Sequence, residues 1–207
     1  MKISKIAKLV KDIGCVQLIQ VDVLKMYIGT GGAIYATEDL PLISGAEQAR
    51  AVLDLTKKQM ENIQVVEDAG TINCIAPLGL NMKADDKEII EWEVKRIPAA
   101  AVVGGEIVDV LELEDGEVLL FNSAYLSPLK EEQQSPYFKL KAREAMTRQK
   151  YIVAYDGLFI KAVIMPMKVD VKYFEQLDNF VNAMNKVRPV DVMNKIRPVG
   201  AEESGTR

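Results

Sequence analysis

The acidic and glycine-rich segments are the first places to look for chemistry in this sequence. The carboxylates of Asp85, Asp86 and Glu88 stand close enough to hold Mg²⁺, yet their polar loop NMKADDKE is typical of a solvated turn. Residues 29–32, GTGG, lack the Lys-Ser/Thr of a phosphate-binding loop and lead into a strand, so a turn is favoured. Histidine is absent from all 207 residues, which removes imidazole bases, His-containing triads and imidazole metal ligands. We therefore expect no metal site and no cofactor, and a protein that is not an enzyme.

The composition indicates a globular protein with one sizeable core or two small ones. Apolar residues make up 49% of the chain, and the formal net charge at pH 7 is −4. This charge argues against a protein that coats nucleic acid, but it permits one basic face. Cys15 and Cys74 stand far apart without a zinc or disulfide spacing, so a reducing, cytoplasmic location fits best. Lysines interrupt any signal-peptide core at the N-terminus, and no apolar run reaches membrane-spanning length, so we expect no membrane contact.

The N-terminal segment predicts a short amphipathic helix with a lysine face. On a helical wheel of residues 4–13 the apolar side chains gather on one arc, and the other arc carries Lys5, Lys8 and Lys11. Ser4 is placed to cap the start of this helix. Such a face is most often the solvated side of an ordinary helix that packs on a core.

Strand-like runs follow this helix. CVQLIQV, LKMYIG and AIYAT, with a turn at residues 30–32, predict a small antiparallel meander. Residues 46–64 predict a helix of several turns, because they contain no Pro or Gly and are rich in helix formers. The strand-like runs that come next include a hairpin with its turn at residues 114–116.

The order of a helix and then strands returns in the second part of the chain. FNSAYLSPLKEE has apolar residues at helical spacing, with Pro128 as a kink or a limit, and the strands after it turn at residues 156–157. Aligning the two units superposes Gly32 on Gly157 and Pro41 on Pro166. The chain therefore reads as two similar halves, each a helix plus strands.

The run IVAYDGLFIKAVIMPMKV ends its second strand in Met-Pro-Met. Proline cannot donate to a strand ladder, so this end predicts an edge strand. Met165 and Met167 could line a groove for a partner, because methionine adapts to irregular surfaces. The alternative is that both methionines fill the core of a closing strand.

Residues 117–169 resemble a known family. EVLLFNSAYLSPLKEE and the later KAVIMPMKV are similar to the last domain of the bacterial DNA polymerase sliding clamp, where a Phe-Asn-x-x-Tyr-Leu helix start precedes a terminal Met-Pro-Met strand. The resemblance implies an α+β, DNA-clamp-like fold with antiparallel sheets, two or three packed helices and two similar helix-plus-sheet halves. Residues 1–170 would form this domain, with residues 43–115 as an unusual middle segment.

The same resemblance implies two binding surfaces. In the family the terminal strand lines the pocket for short peptides of polymerases and other partners, which assigns peptide binding to Val163, Ile164, Met165, Pro166 and Met167. The family also directs its helices at DNA, which assigns phosphate contacts to Lys5, Lys8, Lys11 and Lys130.

Residues 171–207 predict a helix followed by a disordered tail. VKYFEQLDNFVNAMNKV has helical spacing, whereas the repeats MNKVRPVDV and MNKIRPVGA and the ending EESGTR favour an extended segment. QLDNF resembles the peptide Gln-Leu-(Ser or Asp)-Leu-Phe by which partners enter the clamp pocket, which assigns a partner motif to Gln176, Leu177, Asp178 and Phe180. The alternative is an amphipathic helix that packs on the body of the protein.

These features lead to two hypotheses about function. The first is a clamp-like DNA replication accessory, similar to a processivity factor and of phage or mobile-element type. Its partners would be a DNA polymerase or other replication proteins, bound through short peptides, and DNA bound without sequence specificity. We expect a homo-oligomer, because one such chain supplies too few domains to encircle a duplex. The alternative is a non-catalytic adaptor of the same fold that binds a host factor.

Overall fold

The computed structural model describes residues 1–20, 26–37, 40, 43–69, 74–75, 80–84, 88–145, 147–167 and 179. Met1–Met167 form one compact unit, and Lys168–Arg207 form a second, which lies outside the described residues except for Asn179. The helical elements are α1 (Ile3–Ile13), α2 (Gly45–Val52), α3 (Lys57–Met60) and the 3₁₀ helices η1 (Ser123–Leu129) and η2 (Glu132–Gln134). The strands are β1 (Cys15–Gln20), β2 (Met26–Thr30), β3 (Ala33–Ala36), β4 (Gln64–Ala69), β5 (Cys74–Ile75), β6 (Leu80–Asn81), β7 (Glu91–Val103), β8 (Glu106–Leu113), β9 (Val118–Asn122), β10 (Phe138–Glu144), β11 (Lys150–Asp156) and β12 (Phe159–Ile164).

Helix α1 buries one face, as its sequence predicts. The buried positions recur at helical spacing and are Ile6, Ala7, Leu9 and Val10. Gly14 ends the helix in the left-handed conformation, with φ 74°, and its N–H donates to the Val10 carbonyl at 2.8 Å. The predicted N-cap at Ser4 is wrong, because Lys2 takes the extended cap conformation and α1 begins at Ile3.

A ten-stranded sheet forms the body of the protein, in the order β4-β1-β2-β3-β12-β11-β10-β7-β8-β9. Strands β1–β3 and β10–β12 form two antiparallel meanders, which join in the middle of the sheet where Ile34 of β3 lies opposite Val163 of β12. Among the described strands of this sheet, only β1 and β4 pair in parallel. The predicted α+β class is confirmed, and the structure realises it as one large, mostly antiparallel sheet with few helices.

The middle segment departs from the predicted single helix. Residues 46–64 form α2 and α3 rather than one helix of several turns, so that prediction is wrong. Asp54 takes a left-handed φ of 48° after α2, and Thr56 begins α3 with a capping box. The Thr56 hydroxyl accepts from the Gln59 N–H at 3.2 Å, and the Gln59 side chain accepts from the Thr56 N–H at 2.9 Å. A local N-cap therefore interrupts a run of good helix formers.

Buried apolar side chains form two clusters on opposite faces of the sheet. The first cluster packs α1, α2 and η1 against the sheet, with members that include Val10, Leu53, Leu129 and Ile164. The second cluster lies on the other face, with members that include Tyr27, Leu80, Val153 and Val163. Val163 and Ile164 are neighbours in β12 and enter different clusters, because side chains alternate along a strand. No helix in these described ranges is both long and apolar enough to cross a membrane.

Candidate functional site

The Met-Pro-Met segment follows β12 rather than ending it. Strand β12 finishes at Ile164 and lies between β3 and β11 in the middle of the sheet, so the predicted edge strand is wrong. Pro166 stands beyond the last paired residue of β12, where a missing N–H removes no ladder hydrogen bond. The proline therefore indicates the end of a strand here, not an edge of the sheet.

The residues predicted to bind peptides divide between core and surface. Val163 is 1% exposed and Ile164 is 0% exposed, so their side chains belong to the two clusters. Met165, Pro166 and Met167 are half-buried, and Met165 packs against the second cluster. Only these last three side chains reach a surface that a partner could touch.

Two backbone hydrogen bonds hold the Met-Pro-Met segment in place. The Met165 N–H donates to the Gly32 carbonyl at 2.8 Å, and the Met167 N–H donates to the Leu120 carbonyl at 2.7 Å. Leu120 lies on β9, the last strand in the sheet order, so the sheet curves until β9 comes beside the end of β12. The Met-Pro-Met segment is therefore hydrogen-bonded to the β2–β3 turn at one end and to strand β9 at the other.

Tyr125 packs against the same turn. The Tyr35 hydroxyl donates to the Tyr125 carbonyl at 2.8 Å, and burial raises the pKa of the Tyr125 hydroxyl. A Cβ on Gly32 would lie 2.7 Å from the Tyr125 hydroxyl oxygen, so only glycine allows this approach. FNSAYL and the Met-Pro-Met segment are distant in the sequence, yet both meet the turn at Gly32.

The lysines predicted to face DNA lie on neighbouring helical elements. Along α1 the exposed lysines are Lys5, Lys8 and Lys11, and Lys130 is exposed directly after η1. The Lys2 N–H donates to the Pro128 carbonyl at 2.8 Å, which ties the start of α1 to η1. The helical element predicted around Pro128 forms as the 3₁₀ helix η1, and Pro128 lies inside it.

The lysine face carries more positive than negative charge, with Asp12 of α1 as an exposed carboxylate among its lysines. The Glu131 carboxylate pairs with Lys2 at 3.0 Å, which lowers the pKa of Glu131, and Glu132 pairs with the Met1 amine. Within the described ranges, no ion pair engages Lys5, Lys8, Lys11 or Lys130. Their ammonium groups are available to an anionic partner.

A buried arginine, which the sequence reading missed, anchors residues 80–84 to the second face of the sheet. Arg143 is 1% exposed, and its Nε donates to a Glu91 carboxylate oxygen at 2.8 Å. Its Nη1 donates to the Asn81 carbonyl at 2.8 Å, and its Nη2 donates to the Lys83 carbonyl at 2.9 Å. The Tyr155 hydroxyl contacts both the Arg143 guanidinium and the Glu91 carboxylate.

The electrostatics of this network favour the charged form of Glu91. Burial acts to raise the pKa of Glu91, but hydrogen bonds from Tyr155, Lys141 and Arg143 outweigh it and hold the pKa below its usual value. Burial and the hydrogen bond to Glu91 raise the pKa of Tyr155 well above its ordinary range. An ionised carboxylate beside a neutral phenol and a guanidinium is a stable structural network rather than a poised acid and base.

Sequence reasoning missed Arg143 because its strand alternates charged and apolar residues. FKLKARE reads as a strand whose charged positions all face water, which holds for Lys139 but not for Arg143. The pairing of Arg143 with Glu91 comes from β7 lying beside β10, and their sequence separation hides that contact. No local signal in either strand shows this neighbour.

The predicted partner motif at Gln176, Leu177, Asp178 and Phe180 lies outside the described residues; within it only Asn179 is described, and it is exposed. A comparison of the chain with models of known protein families, with curated proteins and with solved structures finds no match.

Proposed function

We propose that this protein is a clamp-like DNA replication accessory that holds short partner peptides at Met165–Met167 and contacts DNA through its lysine face. One observation carries this proposal: the two sequence segments that resemble the sliding clamp meet in space. Gly32 accepts from the Met165 N–H at 2.8 Å, and the same glycine admits the Tyr125 ring. Contact at one turn is what a common role of these separated residues would require.

The surface at Met165 and Met167 suits an apolar side chain of a peptide. Methionine is unbranched and polarisable, so it adapts to ligands of different shape. The backbone is already fixed by two hydrogen bonds and by the proline ring between them, which lowers the entropy cost of binding. The proposed ligands are short apolar peptides of a DNA polymerase or of other replication proteins.

The lysine face suits the phosphates of DNA. Successive lysines at i and i+3 rise about 4.5 Å along α1, so one side of the helix offers a row of ammonium groups. Contacts of this kind do not read the base sequence and weaken strongly with salt. DNA binding would therefore be non-specific, as a protein that moves along DNA requires.

The order of elements supports the proposed DNA-clamp fold and a homo-oligomer. A helical element followed by a three-stranded antiparallel meander occurs twice, as α1 with β1–β3 and as η1 with β10–β12. These units would be the two halves of one clamp domain. Several copies of the chain would be needed to surround a duplex, and cyclic symmetry is the usual way to assemble them.

A non-catalytic adaptor of the same fold is the second candidate, and the overall charge favours it. The formal net charge is −4, so the field of the whole protein repels DNA outside the lysine face. Such an adaptor would bind a host factor at Met165–Met167 and have no DNA role. Peptide binding without salt-dependent binding of duplex DNA would favour this candidate over the first.

Fluorescence anisotropy with a labelled Gln-Leu-Asp-Leu-Phe peptide tests the peptide site. We expect Met167→Ser to raise Kd about tenfold, because losing about 1.4 kcal/mol of apolar contact is a factor of ten. Met60→Ser, at a half-buried methionine of α3, is the matched control and should leave Kd unchanged. If the wild-type protein does not bind the peptide, or if both substitutions change Kd equally, the proposed peptide site is wrong.

A further inference from the structure

Glu106 begins strand β8 and places a carboxylate close to the proposed peptide site. Its side chain is exposed, and one of its carboxylate oxygens accepts from the Asn122 amide at 3.0 Å. Asn122 lies on β9 two residues beyond Leu120, whose carbonyl accepts from the Met167 N–H at 2.7 Å. Two residues span about 7 Å of a strand, so the carboxylate lies within reach of a peptide bound at Met167.

Tyr125 connects the same carboxylate to the other end of the Met-Pro-Met segment. Burial is the main cause of the raised pKa of Tyr125, a hydrogen bond from the Gly32 backbone acts against it, and the negative charge of Glu106 adds to it. An effect of this kind requires Glu106 to lie near the Tyr125 hydroxyl. That hydroxyl packs on Gly32, whose carbonyl accepts from the Met165 N–H at 2.8 Å. Contacts from both ends of the segment therefore lead to Glu106.

The charge of the Glu106 carboxylate is not neutralised by any residue that the structure describes. Glu106 takes part in no ion pair with those residues, and its second carboxylate oxygen accepts no hydrogen bond from them. The Asn122 amide is neutral, so it orients the carboxylate and leaves its charge in place. The half-buried methionines thus have an oriented negative charge beside them.

We propose that Glu106 makes the peptide site selective for partner peptides that carry a lysine or arginine next to their apolar residues. The methionines would hold the apolar side chains, and the carboxylate would pair with the cation. A peptide with an acidic residue at that place would be repelled, and such repulsion gives specificity between otherwise similar ligands. This inference rests on the proposed peptide site and adds the charge of its ligand.

Three labelled pentapeptides that differ only in their middle residue test the selectivity by fluorescence anisotropy. They are Gln-Leu-Lys-Leu-Phe, Gln-Leu-Ser-Leu-Phe and Gln-Leu-Asp-Leu-Phe. The middle residue lies two residues from either end, so its charge is within about 7 Å of whichever peptide residue meets the methionines. We expect the lysine peptide to bind most tightly and the aspartate peptide least tightly, with a step of about two- to fivefold between successive peptides.

Glu106→Gln separates the local charge from the charge of the whole protein. Glutamine keeps the size of the side chain and an acceptor for the Asn122 amide but removes the charge, so the preference for lysine should shrink. Glu114→Gln, at an exposed glutamate in the turn beyond the other end of β8, removes the same charge about 26 Å along the strand and is the matched control. In about 0.1 M salt charges are screened beyond about 10 Å, so this control should keep the wild-type preference. Every variant retains Lys168, which follows Met167 outside the described residues, so its charge cancels in each comparison.

A charge reversal and the methionine variant complete the test. Glu106→Lys should invert the order, so that the aspartate peptide binds most tightly. Met167→Ser should weaken all three peptides by the same factor, because it removes apolar contact and no charge.

The remaining outcomes separate the role of Glu106 from the proposed function. A lysine preference that survives Glu106→Gln, or that Glu114→Gln reduces equally, would overturn the role of Glu106 and keep the peptide site. Binding that Met167→Ser weakens but that is the same for all three peptides would do the same. A wild-type protein that binds none of the three peptides would overturn the peptide site and the selectivity together.

Discussion

Replacing Arg143 with methionine tests whether one buried side chain holds residues 80–84 on the sheet. Methionine has a comparable length but no hydrogen-bond donors, so Arg143→Met removes the bonds to the Asn81 and Lys83 carbonyls and to Glu91. Removing one partner of a buried ion pair costs about 3–5 kcal/mol, because the other charge stays uncompensated. The Glu91 side chain is 23% exposed and water can solvate part of it, so we expect a value near the lower end, about 3 kcal/mol.

This loss would be large against the whole stability of the protein. A domain of this type is stable by about 5–15 kcal/mol, so urea unfolding followed by circular dichroism should show a clear fall in the midpoint. Lys141→Met is the matched control, because Lys141 bonds the same Glu91 at 3.0 Å but makes no bond to residues 80–84. Its ammonium lies nearer to water, and we expect a cost of at most about 1 kcal/mol.

Amide hydrogen exchange locates the effect of Arg143→Met within the chain. Exchange at residues 80–84 should accelerate in the variant more than exchange in the meander β1–β3, because the lost bonds hold only the former segment. Arg143 does not hold residues 80–84 on the sheet if Arg143→Met costs no more than Lys141→Met, or if residues 80–84 keep their wild-type protection in the variant.

Three further predictions concern pH, close packing and DNA. The pKa of Glu91 in the folded protein lies below its value of about 4.3 in the unfolded chain. The stability that ionised Glu91 contributes is therefore present above about pH 4.3 and is lost as the pH falls through the folded-state pKa. Glu91→Gln should flatten the acid limb of a plot of unfolding free energy against pH. Gly32→Ala should lower the free energy of unfolding by about 1–3 kcal/mol, because the added Cβ would lie 2.7 Å from the Tyr125 hydroxyl oxygen. An unchanged Tm would contradict this packing. Lys8→Gln should reduce the slope of log K against log salt for duplex DNA by about 0.9, the value for one phosphate contact, whereas Lys57→Gln at an exposed lysine of α3 should leave the slope unchanged.

The sequence predicts well those turns and strand ends that are set by residues adjacent to them in the chain. The β2–β3 turn, the hairpin turn at residues 114–116 and the turn at residues 156–157 all form as predicted, because glycine supplies the positive φ that each turn requires. Gly31, Gly116 and Gly157 have φ of 54°, 84° and 62°. A turn of this kind fixes the two strands on either side of it without any distant contact.

Features that depend on distant contacts could not be predicted. Pro166 indicates that the chain cannot continue in a ladder, but it does not show that β12 already has β3 and β11 on its two sides. Alternating charged and apolar residues in FKLKARE are typical of a strand, yet the burial of Arg143 depends on Glu91 and on the carbonyls of residues 81 and 83. Neither neighbour is visible in the local pattern, because both come from segments that fold back from elsewhere in the chain.

The alternation of β12 separates the two proposed binding surfaces. Met165 packs with Val163 against the second cluster, whereas the apolar face of α1 packs in the first cluster, to which Ile164 belongs, and the lysine face of α1 is exposed. A peptide at Met165 and a phosphate at Lys8 would therefore occupy opposite faces of one sheet and would not compete for the same surface. Under the proposed function, binding of a partner peptide should thus leave the affinity for DNA unchanged.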